Sequence, residues 1–89
     1  MRITYDDEAD ALYVCLREGV SVWRSIVVDD DRVVDVDGLG EAVGIEVLGA
    51  SQGIHLTDLV EKFRLHSYLG HIRGLEQTKF EFEPKKEFA

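Results

Sequence analysis

The first half of the chain alternates apolar and polar residues with the two-residue period of β-strands. Five such stretches are separated by polar or glycine-rich breaks, and they cover residues 2–5, 11–16, 22–28, 32–37 and 42–48. The connections between them are short, whereas parallel neighbours would need long crossovers. The pattern therefore predicts an antiparallel β-meander of about five strands.

The fifth stretch shows which of its sides faces the core. Val43, Ile45 and Val47 alternate with smaller or charged residues, so their side chains share one face of the predicted sheet. Gly44 lies between them, and a glycine inside a strand pattern indicates a β-bulge or a close backbone approach. We expect Ile45 to be a core residue.

The apolar period changes to that of a helix after residue 50. Residues 59–63 carry an apolar stripe, and Thr57 or Asp58 can cap the start of a helix there. Gly70 and Gly74 are two alternative places for the helical segment to end. We expect this segment to cover one face of the sheet.

Near its end the chain returns to a strand-like pattern. Phe80 and Phe82 alternate with glutamates within residues 78–83, just before Pro84, which is typical of an edge strand. The last residues, 85–89, are predicted to be a frayed tail. An edge strand of this kind pairs with its own sheet or with another chain.

The length of 89 residues predicts one domain, because a chain this short cannot supply two independent cores. Its α+β organisation is expected to comprise a β-meander at residues 1–50, a helical segment at residues 51–73, and a C-terminal strand and tail at residues 74–89. No apolar run approaches the ~20 residues that a membrane span requires. No membrane association is expected.

Acidic residues are concentrated in the front half of the chain. Residues 1–50 carry twelve Asp and Glu against four Arg, which accounts for the whole net charge of −8. Because phosphate backbones repel such a domain, nucleic acid is not an expected partner. Cys15 is the single cysteine, so an intramolecular disulfide is impossible, and no secretory apolar region leads the chain. These features favour the cytoplasm.

One stretch partly matches a calcium-binding loop. Asp35, Asp37, Gly40 and Glu46 occupy the first, third, sixth and twelfth positions of an EF-hand loop, but Leu39 stands where an oxygen ligand belongs. An EF-hand also requires flanking helices, and here the flanks alternate as strands. We therefore expect no calcium site.

The acidic residues leave an enzymatic alternative open. Asp35 and Asp37, two residues apart on one strand, stand ~7 Å apart and could act as paired carboxylates. Such a pair needs a deep, dry cleft, which one small sheet and one helix do not readily provide. The alternative to a binding domain is a small enzyme or metal-binding domain that uses acidic residues of the meander, namely Asp6, Asp10, Asp35, Asp37 and Glu46.

No other residues indicate a cofactor. The histidines at positions 55, 66 and 71 lack metal-ligand spacing, and Cys15 has no nearby cysteine. The glycines lie around a predicted hairpin, not between a strand and a helix where a phosphate-binding loop would occur. We therefore expect neither a cofactor nor a catalytic residue, and no metal.

Residues 1–51 resemble a family of small prokaryotic domains of unknown function. The segments YDDEADALYVCL, VSVWRSIV and VDVDGLGEAVGIEVLGAS are similar to the family's YDxEADALY opening and VDxDxxGxxVGIEILxAS close. The resemblance implies a compact antiparallel sheet with a C-terminal helix. This chain is longer than the shortest members by residues 74–89. The matched positions, none with a catalytic role in the family, are Tyr5, Asp6, Glu8, Asp10, Tyr13, Asp35, Asp37, Gly44 and Glu46.

The same resemblance implies a role in binding other proteins. Some members are thought to stand beside small toxin-like ribonuclease proteins, which suggests an antitoxin-like domain with a basic toxin-like partner.

Three aromatic residues of the C-terminal segment are expected to bury themselves against a second copy of the chain, giving a homodimer. The predicted protein-binding residues are Phe80, Phe82, Phe88, Asp35 and Asp37.

Overall fold

A computed structural model describes residues 1–78 and the backbone of residues 86–88. Within this part of the chain, one antiparallel sheet is followed by two short helices, α1 (Thr57–Lys62) and α2 (Leu69–Glu76). The α+β class is confirmed. The strands of the sheet are β1 (Arg2–Asp6), β2 (Ala11–Cys15), β3 (Arg24–Val27), β4 (Arg32–Val36), β5 (Ala42–Leu48) and β6 (Lys86–Phe88).

The strand order is β3-β4-β5-β2-β1-β6. As the meander predicts, β1 pairs with β2, and β3, β4 and β5 pair in sequence. The order departs from a simple meander at β2, which pairs with β5 instead of β3. In this position β2 gains a long apolar partner, with Leu12 opposite Val47 and Val14 opposite Ile45. Strands β2 to β5 thereby form a Greek key.

The core lies between one face of the sheet and the two helices. Residues at alternate positions of β1, β2 and β4 are buried, as the two-residue period predicts. Ile45 has no exposed surface, and Val47 is buried beside it. Val43, which was predicted to share their face, is buried outside this core cluster, and the register shift in β5 places Ala42 in the cluster instead. The residues that close this core from the helical side are Ile54, Leu56, Leu59, Val60, Leu65, Ile72 and Leu75. The opposite face of the sheet, called the open face below, carries no helix among the described residues.

The start of α1 differs from the prediction. Neither Thr57 nor Asp58 caps the helix, whose N-cap residue is Leu56 and has no side-chain cap of its own. The carboxylate of Glu76, at the end of α2, accepts hydrogen bonds from the backbone N–H of Leu56 at 2.8 Å and of Thr57 at 3.0 Å. Asp58 instead binds Arg32. A distant carboxylate therefore supplies the cap that a local residue was expected to provide.

The helical segment is also interrupted earlier than either glycine predicts. Arg64 adopts φ 57° directly after α1, and Leu65 N–H donates to the Val60 carbonyl at 2.7 Å. This is a Schellman motif, in which the left-handed position usually holds glycine. Gly70 and Gly74 both lie inside α2, and the helical segment extends to Glu76, beyond the predicted residue 73.

The strand predicted at residues 78–83 lies almost wholly outside the described residues, but a strand is present in the segment predicted to be a tail. The expected frayed tail contains β6, which pairs antiparallel with β1, with Phe88 opposite Ile3 and Lys86 opposite Tyr5. The outer backbone edge of β1, on the side away from β2, accounts for this pairing. Phe80 and Phe82 lie outside the described residues. Within residues 1–78, no helix is long and apolar enough to cross a bilayer.

Candidate functional site: the free edge of β3

Asp10 ties the β1–β2 turn to the end of β5. Its carboxylate accepts hydrogen bonds from the Tyr5 hydroxyl at 2.7 Å, the Ser51 hydroxyl at 2.6 Å and the Ser51 N–H at 2.8 Å. Burial alone raises the pKa of Asp10, but the hydrogen bonds from Ser51 and Tyr5 outweigh it and lower the pKa below its ordinary value. Burial, together with the Asp10 carboxylate, raises the pKa of Tyr5 to about 12. This carboxylate acts as a structural latch.

Asp37 shapes the hairpin between β4 and β5. Its carboxylate accepts the N–H groups of Leu39 at 2.9 Å and Glu41 at 3.0 Å, and it pairs with the Arg17 guanidinium at 2.8 Å. The hydrogen bond from Arg17 is the main reason that the pKa of Asp37 is lowered. Asp37 lies past the end of β4, and its partners are not those of Asp35. The two therefore do not form a carboxylate pair.

Asp35 lies on the open face, where its carboxylate joins β4 to two other strands. Its carboxylate accepts the Tyr13 hydroxyl of β2 at 2.8 Å and the Ser25 hydroxyl of β3 at 2.5 Å. The Tyr13 ring crosses Gly44 of β5 to reach it, and a Cβ on Gly44 would overlap that ring. Burial is the first cause, and the Asp35 carboxylate the second, of a raised pKa for Tyr13. A β-bulge in β5 opposite residues 35 and 36 accompanies this close approach.

The acidic residues of the enzymatic alternative therefore do not converge on one cleft. Asp10 and Asp37 bind different turns, Asp35 bonds across the open face, and Asp6 caps the Glu8 N–H at 3.1 Å. Glu46 lies opposite Tyr13 in the β2–β5 pair. Within residues 1–78, no three His, Cys, Asp or Glu side chains are grouped closely enough to hold a metal ion.

A cavity of about 460 Å³ lies where the β3–β4 turn meets α1. The guanidinium of Arg32 faces it but is bound to Asp29 at 2.8 Å, to Asp58 at 2.6 Å and to the His55 carbonyl at 2.8 Å. The hydrogen bonds that Arg32 donates to Asp58 and Asp29 raise the pKa of Arg32, and the two carboxylates balance its positive charge. Arg32 holds the turn against the helix and is not positioned to receive an anionic ligand.

The apolar surface of the described chain is concentrated at β3. This strand stands at one end of the sheet, and β4 is its partner within residues 1–78 and 86–88. Trp23 is 65 % exposed and Val27 is 71 % exposed, and Val20 and Val22 in the preceding connection are also exposed. The Arg24 guanidinium stacks 5.3 Å from the Trp23 ring centroid. Large apolar side chains left in water beside an unpaired strand are typical of an interaction surface.

The backbone of β3 is oriented to receive a further strand. Val28 N–H donates to the Arg32 carbonyl at 2.9 Å, and the β3–β4 register pairs Arg24 with Val36 and Ile26 with Val34. Because hydrogen bonding alternates along an antiparallel strand, the even-numbered residues face β4. Ser25 and Val27 therefore direct their N–H and C=O groups away from the sheet. We refer to residues 23–27, with this outward backbone at Ser25 and Val27, as the β3 edge.

The strand at β3 was predictable from the sequence, but its position at the edge of the sheet was not. Residues 22–28 were predicted to form a strand like the others, and nothing in a single strand pattern shows which strand ends a sheet. The available signal was Arg24-Ser25, a polar pair inside an apolar strand, which suits a position exposed on both faces. Of the predicted binding residues, Asp35 and Asp37 serve as structural acceptors, and Phe88 lies in β6 at the opposite edge of the sheet.

Comparison with known proteins finds a family that shares the sheet of this chain. A family model described as a protein of unknown function (DUF2283) matches residues 2–51, which include β1 to β5 and the latch residues Tyr5, Asp10 and Ser51. Neither the curated proteins nor the solved structures contain a match. The family model covers more than half of the chain, and the chain therefore belongs to the DUF2283 family.

Proposed function

We propose that this domain is a non-enzymatic protein-binding module whose β3 edge pairs with an extended strand of another polypeptide. The observation that carries the proposal is the combination, on one edge strand, of outward backbone groups at Ser25 and Val27 with the exposed side chains of Trp23 and Val27. Backbone pairing supplies affinity in strand addition, and alternate side chains supply specificity.

The β3 edge lacks several devices that protect edge strands. Natural edges are commonly blocked by lysine, proline, a bulge or an inward-pointing charge. β3 contains neither lysine nor proline, and its register with β4 is regular from Arg24 to Val27. An edge of this kind would be an aggregation hazard unless it had a regular occupant.

The surroundings of the edge bear on which chains fit it. Residues 29–31, which begin one residue after Val28, are three exposed aspartates, so a partner strand with a basic flank would gain electrostatic attraction there. A basic, toxin-like protein is one candidate partner with such a flank, and the domain would then have an antitoxin-like role. The second candidate partner for the β3 edge is another copy of the chain, which would give a homodimer. We also propose that the C-terminal aromatic residues Phe80 and Phe82 contribute to that assembly.

The engaged carboxylates support the non-enzymatic part of the proposal. Asp10, Asp35 and Asp37 each accept two or more hydrogen bonds that hold turns or strands in place. A carboxylate that maintains the fold in this way is poorly placed to exchange protons with a substrate.

The proposal is tested by proteins captured from cells on the full chain and on three variants. Val27→Pro removes an outward N–H, Val27→Thr retains it, and Leu39→Ser removes an exposed apolar residue from the distant β4–β5 hairpin. Trp23 is the single tryptophan, so its emission reports binding of each purified captured protein. Binding should be lost in Val27→Pro and kept in the other two. Equal binding by Val27→Pro, or a chain that neither self-associates nor captures any protein, overturns the proposal.

A further inference from the structure

We infer that the strand received by the β3 edge is β3 of a second copy, antiparallel and related by a two-fold axis between the two Ser25 residues. This inference rests on the proposed function and names its partner. It joins two six-stranded sheets into one continuous sheet whose open faces lie on the same side.

The backbone pattern permits this arrangement. A two-fold axis normal to a sheet places residues that point to the same face opposite each other. Because the face alternates with residue number, the two opposite residues must both have odd numbers or both have even numbers. With Ser25 opposite Ser25 of the second copy, both residues present outward N–H and C=O groups and can exchange two hydrogen bonds. Val27 then lies opposite Trp23 of the second copy, and its outward N–H faces the Trp23 backbone. Trp23 N–H already donates to Val36 within its own chain at 2.8 Å, so this second pair gains one hydrogen bond and not two.

The side chains also match in this register. Ser25 reaches Asp35 on the open face, and alternation along β3 places Val27 on that same face. Trp23 precedes β3, its N–H donates to Val36 and its ring lies against Arg24, so the alternation does not extend to it. Each exposed Val27 would lie opposite Trp23 of the second copy, which brings these two exposed apolar residues together twice in the dimer. Aromatic residues opposite β-branched residues are among the stabilising cross-strand pairs. One contact would cover two of the most exposed apolar side chains in the described chain.

Charges favour this register over its two neighbours. At the Ser25 centre, Arg24 lies opposite Ile26 of the second copy, so no two like charges meet on the strand. A shift to an Arg24 centre would place the two Arg24 residues opposite each other, which is destabilising. A shift to an Ile26 centre would place the apolar Trp23 opposite the charged Asp29, whose carboxylate already binds Arg32. Trp23 would then have no apolar partner on the second copy. The Ser25-centred register avoids both conflicts.

The net charge distinguishes a second copy from a basic partner. Each copy carries −8, so two copies repel each other at low salt and added salt should strengthen their association. Attraction between this acidic chain and a basic protein would weaken under the same change. The sign of the salt effect therefore separates the two occupants of the edge.

Cysteine cross-linking tests the register in full-length chains that also carry Cys15→Ser to remove the native thiol. Hydrogen-bonded antiparallel pairs have Cα atoms about 5.5 Å apart, within the roughly 4.4–6.8 Å span of disulfides. Ser25→Cys should therefore form a covalent dimer under mild oxidation. The matched control is Val27→Cys, because the two Val27 residues would be four positions apart along the edge, at about 13 Å.

A mixed experiment keeps the test independent of the behaviour of one variant. Equimolar Trp23→Cys and Val27→Cys chains should form the mixed covalent dimer at least tenfold faster than Val27→Cys alone forms its own dimer. Faster cross-linking of Val27→Cys than of Ser25→Cys, or no preference for the mixed dimer, overturns the register. A wild-type chain that stays monomeric in light scattering at high concentration and high salt overturns the second copy. If such a monomer still binds a captured protein and loses it in Val27→Pro, the proposed function stands without this inference.

Discussion

The Tyr13 ring lies across Gly44, and its hydroxyl donates to Asp35 at 2.8 Å. The glycine is necessary because any Cβ at position 44 would overlap the ring, including its Cζ and Cε2 atoms. The contact links β2, β5 and β4, and Ser25 extends it to β3. These contacts link the side chains of the open face from β2 to β3, the strand at the free edge.

Gly44→Ala should destabilise the fold by about 1–3 kcal/mol, because the new methyl group forces the Tyr13 ring out of place. Urea unfolding measures the change. Gly38→Ala is the matched control, since a Cβ there meets no atom within 4 Å and its φ is not positive. The Tyr13→Ala change should make Gly44→Ala nearly neutral, and a full additive loss in the double variant would contradict the packing explanation.

The strands of this fold were predictable from local pattern, but their order was not. Each predicted stretch agrees with one of β1 to β5 to within two residues at either end, because period-two alternation is a local property of the chain. The pairing of β2 with β5 depends on contacts between residues some thirty positions apart, such as Val14 with Ile45. No local pattern reports such a contact, and the meander was therefore only partly correct.

The same distinction explains the candidate site. Gly44 was correctly predicted to mark a bulge or a close approach, because a lone glycine in a strand is a local signal. The edge position of β3 follows from the Greek-key order and thus could not be read from the strand alone. The cap that Glu76 provides to α1 is a further long-range contact of this kind.

Arg64→Gly should stabilise the protein by about 0.5–1 kcal/mol. A non-glycine residue at φ 57° is strained, and glycine removes that strain. Glycine also raises the conformational entropy of the unfolded chain, but this cost is smaller than the strain that is removed. Arg73→Gly is the matched control, since Arg73 lies inside α2 and the same substitution there should destabilise by about 1 kcal/mol. Thermal or urea unfolding of both variants provides the test, and loss of stability in Arg64→Gly would argue against the Schellman assignment.

Asp10→Asn should lower stability at neutral pH by about 1–2 kcal/mol, since the charged acceptor of three hydrogen bonds is removed. The folded pKa of Asp10 lies below its ordinary value, so its contribution is fully present above pH ~4 and is lost as pH falls through the folded pKa. The difference between wild type and variant should therefore shrink in acid. A difference of equal size at neutral pH and at low pH would mean that the substitution acts through packing alone.

Ile45→Ala should cost about 2–5 kcal/mol, because Ile45 is fully buried in the core between the sheet and the helices. Asp35→Ala should cost less, although it leaves the Tyr13 and Ser25 hydroxyls without their acceptor on the partly exposed open face. Paired urea melts rank the two variants. A larger loss for Asp35→Ala would show that the open face contributes more to stability than the core position.

The most direct measurement of the central claim is residue-resolved amide hydrogen exchange of the wild-type chain in dilute and concentrated solution. The β3 edge predicts that the outward N–H groups of Ser25 and Val27 exchange rapidly when dilute and become protected as a second β3 pairs with them. Ile26, whose N–H faces β4, should be protected in both samples and serves as the internal control. Unchanged exchange at Ser25 and Val27, with new protection appearing in α2 or at the β4–β5 hairpin instead, would contradict the account and place the binding surface elsewhere.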